Sequence, residues 1–300
     1  ETVGEACTLC GELGHGRSSC RHNDKIVPPT AATTEHTPPE RTFFAQLCAR
    51  LACGALGDPS SEPERPRLGL RVVMLSGASR GIGRAIAQAL LKEGHLLSLG
   101  LRDVESADIG DLADSGRVLL QRYDAEDPAS AESWVEATAA WAGHVDALVH
   151  CAGILRRTPL LFSDGEQQDI EALWRVNVMG PWWLTRAAWP HLVRSGRGRI
   201  QVLVSMSGRR VRGGMAAYPV SKFALMGLCQ SMRNEGWPHG IRVTAFCPSW
   251  VNTTMAAGIS QVSSDDMTQP DDLAAISALL LRLPAASVPF EVAVNCNLET

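Results

Sequence analysis

Tyr218 and Lys222 stand four positions apart at the start of a predicted helix, so their side chains share a face. Ser205 closes the apolar run before that helix, 13 residues upstream of Tyr218, and Asn177 interrupts an otherwise apolar helical stretch. These residue types suit redox chemistry between a carbonyl and an alcohol. A phenol with a free pKa of about 10 must approach neutrality to exchange a proton at working pH. A nearby ammonium favours the phenolate and lowers that pKa. A serine hydroxyl can hold the substrate oxygen where charge develops, and a buried asparagine amide must find partners. A nicotinamide ring would carry the hydride. Ser207 is the alternative to Ser205, and a Tyr and Lys at this spacing also arise by chance.

A second constellation lies upstream. The apolar run Arg71–Ser76 leads into Gly77-Ala78-Ser79-Arg80-Gly81-Ile82-Gly83 and then a helical pattern. Glycines at 77, 81 and 83 permit a tight turn and close backbone approach to a pyrophosphate. The helix N-terminus adds unpaired N–H groups and a positive dipole end. The spacing is G-x-x-x-G-x-G rather than G-x-G-x-x-G, so the strand before and the helix after carry the reading. At the end of the next apolar run the chain reads Leu99-Gly100-Leu101-Arg102-Asp103. NAD-specific sites usually place an acid there for the ribose 2′-OH. Arg102 and Arg80 instead match a 2′-phosphate in charge and geometry, which favours NADP over NAD. The opposing readings are two solvated arginines, or Asp103 turned inward.

The elements that position these groups alternate. Apolar runs at Arg71–Ser76, Leu96–Gly100, Arg117–Gln121, Val145–His150, Arg199–Ser205, Ile241–Cys247 and Phe290–Val294 read as strands buried on both faces of a parallel sheet. Helical stretches at Gly81–Glu93, Ala129–Trp141, Glu166–Leu192, Tyr218–Glu235 and Asp271–Leu281 lie between them. Pro181 is expected to kink or split the third. The pattern predicts an α/β, doubly wound, seven-stranded parallel Rossmann sheet with helices on both faces.

Residues 70 to 296 resemble the short-chain dehydrogenase/reductase family. The glycine loop Gly77–Gly83, Asp124, His150-Cys151-Ala152-Gly153, Asn177, Ser205, Tyr218, Lys222 and Pro248 through Thr253 fall in the family's order. The resemblance implies Tyr218 as general acid/base and Lys222 as the group that lowers its pKa and holds the nicotinamide ribose. It implies Ser205 orienting the carbonyl and Asn177 supporting a water-linked proton relay. The glycine loop, with Ser79 and Ile82, would hold the phosphates, Asp124 the adenine and Thr253 the carboxamide arm. Ala152 and Gly153 would allow the backbone to approach the cofactor. Two departures stand out. The family's Asn-Asn-Ala-Gly is His150-Cys151-Ala152-Gly153 here, with packing the expected role for Cys151, and its Pro-Gly is Pro248-Ser249. The resemblance also implies a homo-oligomer, dimer or tetramer, packed through 166–192 and 218–235.

Substrate identity is less legible. Arg209, Arg210 and Arg212 follow the candidate serine, and with Arg156 and Arg157 they form either a basic rim for an anionic or carrier-linked substrate or ordinary solvated surface. Trp250 and Met255 border the expected substrate loop, Val251 to Gln269, and are candidates to line an apolar pocket.

Residues 1–67 differ in character. They hold 7 of the 17 prolines and read as a largely disordered tail and linker, with a short amphipathic segment between Arg41 and Leu56. The enzyme domain is expected at 68–300. Within the tail, Cys7, Cys10, His15 and Cys20 form C-x2-C-x4-H-x4-C, a ligand set for tetrahedral zinc that resembles a CCHC zinc knuckle. A competing reading is that the tail is not native to the enzyme. Nucleic-acid binding is disfavoured, because residues 1–67 carry 7 Lys+Arg against 9 Asp+Glu. The alternative function, a nucleic-acid-binding knuckle protein whose Rossmann domain only holds cofactor, rests on this tail.

The bulk composition agrees with an enzyme. The chain has 300 residues, 45% hydrophobic and 20% charged, with net charge -4. This excludes wholesale disorder and disfavours a protein devoted to phosphate backbones or anionic lipid. No apolar run is long enough for a membrane span. Nine unevenly spaced cysteines point to a reducing, cytoplasmic setting without disulfides. The chain opens on Glu1, so a removed targeting segment stays open.

Overall fold

A computed structural model describes residues 69–105 and 109–297. The tail at 1–67, with Cys7, Cys10, His15 and Cys20, lies outside the described residues. Seven strands form one sheet: β1 (Val72–Ser76), β2 (Leu96–Leu101), β3 (Val118–Arg122), β4 (Ala147–His150), β5 (Arg199–Leu203), β6 (Arg242–Pro248) and β7 (Glu291–Val294). Their order is β3-β2-β1-β4-β5-β6-β7, and every pairing is parallel. The helices are α1 (Gly81–Lys92), α2 (Pro128–Ala142), α3 (Gln167–Trp174), α4 (Gly180–Ser195), α5 (Ala217–Gly236) and α6 (Pro270–Arg282).

The central strands β1 and β4 are almost wholly apolar and buried because both of their faces are covered, whereas the edge strands β3 and β7 are only partly buried. In β1, Val73 and Leu75 point to one side and meet Ile86 and Leu90 of α1 and Ala278 of α6. Met74 points to the other, where Trp134 of α2, Leu184 and Leu192 of α4, and Cys229 of α5 pack. Burying each large aliphatic side chain of this kind contributes about 1.5–3 kcal/mol before entropy is counted. α2 starts on an Asp127 cap that accepts from the Ala129 amide at 2.9 Å, and Pro128 lacks the N–H that would need a partner there.

One expectation is corrected. The long stretch Glu166–Leu192 is interrupted, yet not by a proline kink at Pro181. A π-turn at Arg175–Met179 joins α3 to α4, with the Gly180 amide bonding the Arg175 carbonyl five residues back. Pro181 then sits in the first turn of α4, where a missing N–H costs little. The π-turn carries Asn177.

The N-terminal ends of the strands are tied by a buried carboxylate. Asp146 accepts from the Val72 amide (3.0 Å), the Ser195 hydroxyl (2.6 Å) and two guanidinium nitrogens of Arg197 (3.1 and 3.0 Å). Burial alone would raise its pKa, but these hydrogen bonds and the Arg197 charge outweigh it and hold the carboxyl below its usual value. The C-terminal ends of the strands are thereby left for the site. Helices cross to opposite faces on either side of β1, so a crevice opens over the C-terminal ends of β1 and β4. No helix among the described residues is long and apolar enough to cross a membrane.

Candidate active site

The crevice is a cleft of about 1020 Å³ over the C-terminal ends of the strands. Its floor is the turn after β1. Gly77 has φ +76°, and a Cβ there would lie 2.7 Å from the Ala152 nitrogen; a Cβ on Gly83 would lie 2.2 Å from the Gly77 carbonyl oxygen. Only glycine fits either place. The β4 turn is held against this loop by the Cys151 amide on the Ser76 carbonyl (3.2 Å) and the Ala152 amide on the Ser76 hydroxyl (3.3 Å). α1 begins at Gly81 with no side-chain cap and no acid in its first turn. That leaves N–H groups and a positive dipole end facing the cleft, which fits a dinucleotide pyrophosphate.

Around this floor the cleft collects Ser79, Arg80, Gly81, Ile82 and Gly83, then Arg102, Asp124, Ala152, Gly153 and Thr253. Arg80 and Arg102 are exposed and line it. The Asp103 carboxylate, the acid that had to be weighed against them, accepts from the Glu105 amide in its own loop at 3.1 Å. The Thr253 hydroxyl donates to the Val251 carbonyl at 3.3 Å. The loop that carries it is closed at its base by a Val251–Thr268 bridge and by Asn252 on the Gln269 side chain at 3.0 Å. Trp250, Met255 and Val262 of this region form an apolar wall.

Tyr218, Lys222 and Ser205 meet at the other end. Tyr218 and Lys222 are buried on the first turns of α5, with the Lys222 Nζ 5.7 Å from the phenol ring centre. Nζ donates to the Leu203 carbonyl at the end of β5 (3.0 Å). The Ser205 hydroxyl acts on the Tyr218 phenol, favouring its ionised form, and accepts from the Ser207 amide at 3.1 Å. Ser205 is also the one non-glycine with positive φ, +116°, among the described residues. Holding it there costs about 1–3 kcal/mol, strain of the kind that gathers at functional sites. The Asn177 carbonyl oxygen accepts from the Ile154 amide (2.9 Å), and its amide donates to the Ile154 carbonyl (3.0 Å) and the Ser221 hydroxyl (3.1 Å). Ser221 in turn donates to the Tyr218 carbonyl (2.7 Å). Asn177 therefore ties the β4 loop to α5. Ser221 was missed in the sequence, although a serine one residue before Lys222 in a helix core is a visible oddity.

Burial dominates the electrostatics of this cluster. Burial pushes the Tyr218 phenol up to about 12, with the Ser205 hydrogen bond pulling the other way. Burial also brings Lys222 down to about 8. Desolvation is the larger of the two effects on the phenol. Tyr218 holds its proton at neutral pH. Burial raises the thiols of Cys151 and Cys247 to about 12, and that of Cys229 higher still. Cys151, Cys229 and Cys247 form no disulfide among the described residues. Among the described residues no cluster of His, Cys, Asp and Glu could hold a metal ion.

The family model for short chain dehydrogenases matches residues 71–263. The chain belongs to the short-chain dehydrogenase/reductase family. This family of NAD(P)-dependent oxidoreductases fits both the glycine floor and the Tyr–Lys–Ser cluster. Oxidoreductase UcpA of Salmonella typhimurium is 32% identical over 74% of the chain and 84% of that protein. Agropine synthesis reductase of Rhizobium rhizogenes is 34% identical over 76% of the chain and 53% of that protein. The chain thus spans about half the length of the agropine synthesis reductases it matches. Among solved structures, an alcohol dehydrogenase from the archaeon Thermococcus sibiricus complexed with 5-hydroxy-NADP superposes with TM-score 0.68 at 28% identity, covering 75% of this chain and 96% of that one.

Proposed function

We propose that the protein is a NADP-preferring oxidoreductase that interconverts a carbonyl and a secondary alcohol, with Tyr218 as general acid/base. The observation that carries this reading is the convergence of buried Tyr218, Lys222 and strained Ser205 on a cleft whose floor only glycine can form. Bound NADPH supplies the hydride that the carbonyl carbon accepts. Tyr218 gives its proton to the carbonyl oxygen, and the pKa of about 12 keeps that proton in place at neutral pH. Ser205 donates a hydrogen bond to the same oxygen as charge grows on it. Lys222 holds the nicotinamide ribose and stabilises the phenolate left behind. Asn177 keeps the β4 loop in register with α5, and with it the path for proton replacement.

Around the cofactor, Gly77, Ser79, Gly81, Ile82 and Gly83 take the phosphates, Asp124 the adenine, Ala152 and Gly153 the ribose side, and Thr253 the carboxamide arm. Arg80 and Arg102 take the 2′-phosphate, as supported by their place on the cleft wall. The archaeal alcohol dehydrogenase it resembles is a complex with 5-hydroxy-NADP. The test is oxidation of NADPH and NADH in parallel against a ketone and aldehyde panel. Preference for NADPH, abolished turnover in Tyr218→Phe and retained NADPH binding are the expected results. Full turnover by Tyr218→Phe on a confirmed substrate would refute the mechanism.

Three further parts of the reading have their own checks. A homo-oligomer through α4 and α5 is supported by exposed Trp182, Val220 and Phe223 on those helices, and light scattering reads its mass. Zinc at Cys7, Cys10, His15 and Cys20 is checked by metal analysis of the full chain against Cys10→Ser. A cytoplasmic location is checked by cell fractionation.

A further inference from the structure

Strand order sorts the arginines of the cleft into two groups. Arg80 and Arg102 follow β1 and β2, on the side assigned above to the cofactor phosphates. Arg156, Arg157, Arg210 and Arg212 follow β4 and β5, beside Tyr218 and Ser205, and all four line the cleft. The acids that line it, Asp124 and Glu126, follow β3, at the opposite edge of the sheet. Among the described residues the catalytic end is therefore cationic, with no lining carboxylate.

These arginines differ in what they already hold. Arg209 is turned out of the cleft onto Glu291 of β7 at 2.7 Å, and Arg156 is engaged by Asp169 of α3 at 3.0 Å. The guanidinium of neither Arg157 nor Arg210 forms an ion pair among the described residues. Arg210 is half-buried, five residues after Ser205, with its amide fixed on the Met206 carbonyl at 3.1 Å. A half-buried, unpaired guanidinium has lost part of its hydration and regains most when a carboxylate or phosphate bonds it in bidentate fashion. The same cleft is lined by apolar side chains as well, Ile154, Met206, Met215 and Trp250 among them.

We propose, resting on the redox reading above, that the substrate carries its carbonyl on an apolar segment that ends in an anionic group, and that Arg210 and Arg157 hold that anion. A carboxylate and a phosphate monoester share the required chemistry. Arg210 and Arg157 are specificity residues; they do not touch the reacting carbon.

The test uses the full chain with NADPH and matched ketones of one carbon skeleton, ending in a carboxylate, a phosphate monoester or an uncharged carboxamide. Wild-type protein should favour one of the anions by roughly tenfold or more in kcat/KM, mainly through KM, the scale of a charge-assisted pair. The two anion arms show which group is preferred. The advantage should shrink in about 1 M salt, where the screening length is about 3 Å. Arg210→Gln and Arg157→Gln should each lower the ratio, and Arg210→Lys should retain part of it. Arg209→Gln, whose guanidinium is held by Glu291, should keep the wild-type ratio. Equal use of anionic and uncharged ketones, or an undiminished ratio in both glutamine variants, overturns this inference and leaves the redox reading standing. No hydride transfer to any ketone or aldehyde overturns both.

Discussion

Gly77→Ala separates two costs that are usually confounded. Gly77 has φ +76°, and its new Cβ would lie 2.7 Å from the Ala152 nitrogen and 2.9 Å from the Cys151 carbonyl carbon. Both are backbone atoms, held in place by the amides of Cys151 and Ala152 on Ser76. Gly143 has nearly the same backbone, φ +79°, at the C-terminus of α2, but nothing lies within 4 Å of its Cβ position. The left-handed conformation costs an alanine about 1–2 kcal/mol at either site. The collision adds about 1–3 kcal/mol at Gly77 alone. Gly143→Ala should therefore lose about 1–2 kcal/mol and Gly77→Ala about 2–5 kcal/mol. Urea denaturation of the full chain reads both, with the midpoint shifting and the slope unchanged. An NADPH titration followed by fluorescence should show weaker binding in Gly77→Ala only. Equal stability losses in the two variants, within about 0.5 kcal/mol, would refute the claim that close approach of the β4 turn dictates glycine at 77.

Three other expectations follow from the same geometry. Burial holds His150 at about 4, below its unfolded value of about 6.5. Its contribution to stability is complete above pH 6.5 and is lost as pH falls towards 4, by about 3 kcal/mol; His150→Gln should flatten that acid limb in urea titrations at successive pH values. Asp146→Ala should destabilise the fold by about 2–4 kcal/mol, because it leaves the Val72 amide and Arg197 without their buried acceptor; a midpoint shift below a third of that would show the latch is dispensable. Because Tyr218 keeps its proton to about 12 and Lys222 its proton only to about 8, ketone reduction should stay level from pH 6 to near 8 and then fall. Alcohol oxidation should climb into the alkaline range, and parallel initial rates in both directions check this.

The parts of the site legible in the sequence were those whose chemistry is local. The glycine loop reads from its spacing because it is one continuous strand–turn–helix. Tyr218 and Lys222 read because a single helix turn fixes their relation. The strands read to within one or two residues because both faces are covered and their runs are unbroken. The π-turn at Arg175–Met179 did not read, since a helix that shifts its hydrogen bonds by one residue has no compositional mark. Pro181, the visible signal, lay just beyond it.

The sequence by itself determined the fold class, the glycine turn after β1 and the shared helix face of Tyr218 and Lys222, because periodicity and short spacings encode contacts made within one element or between neighbours. Only the tertiary structure decided which serine meets Tyr218, that Asn177 spans from Ile154 to Ser221, and that Arg210 enters the cleft while Arg209 turns to Glu291. It also set the burial that raises the Tyr218 phenol. A pKa is set by how much water the whole surrounding fold removes, and no spacing between two residues records that.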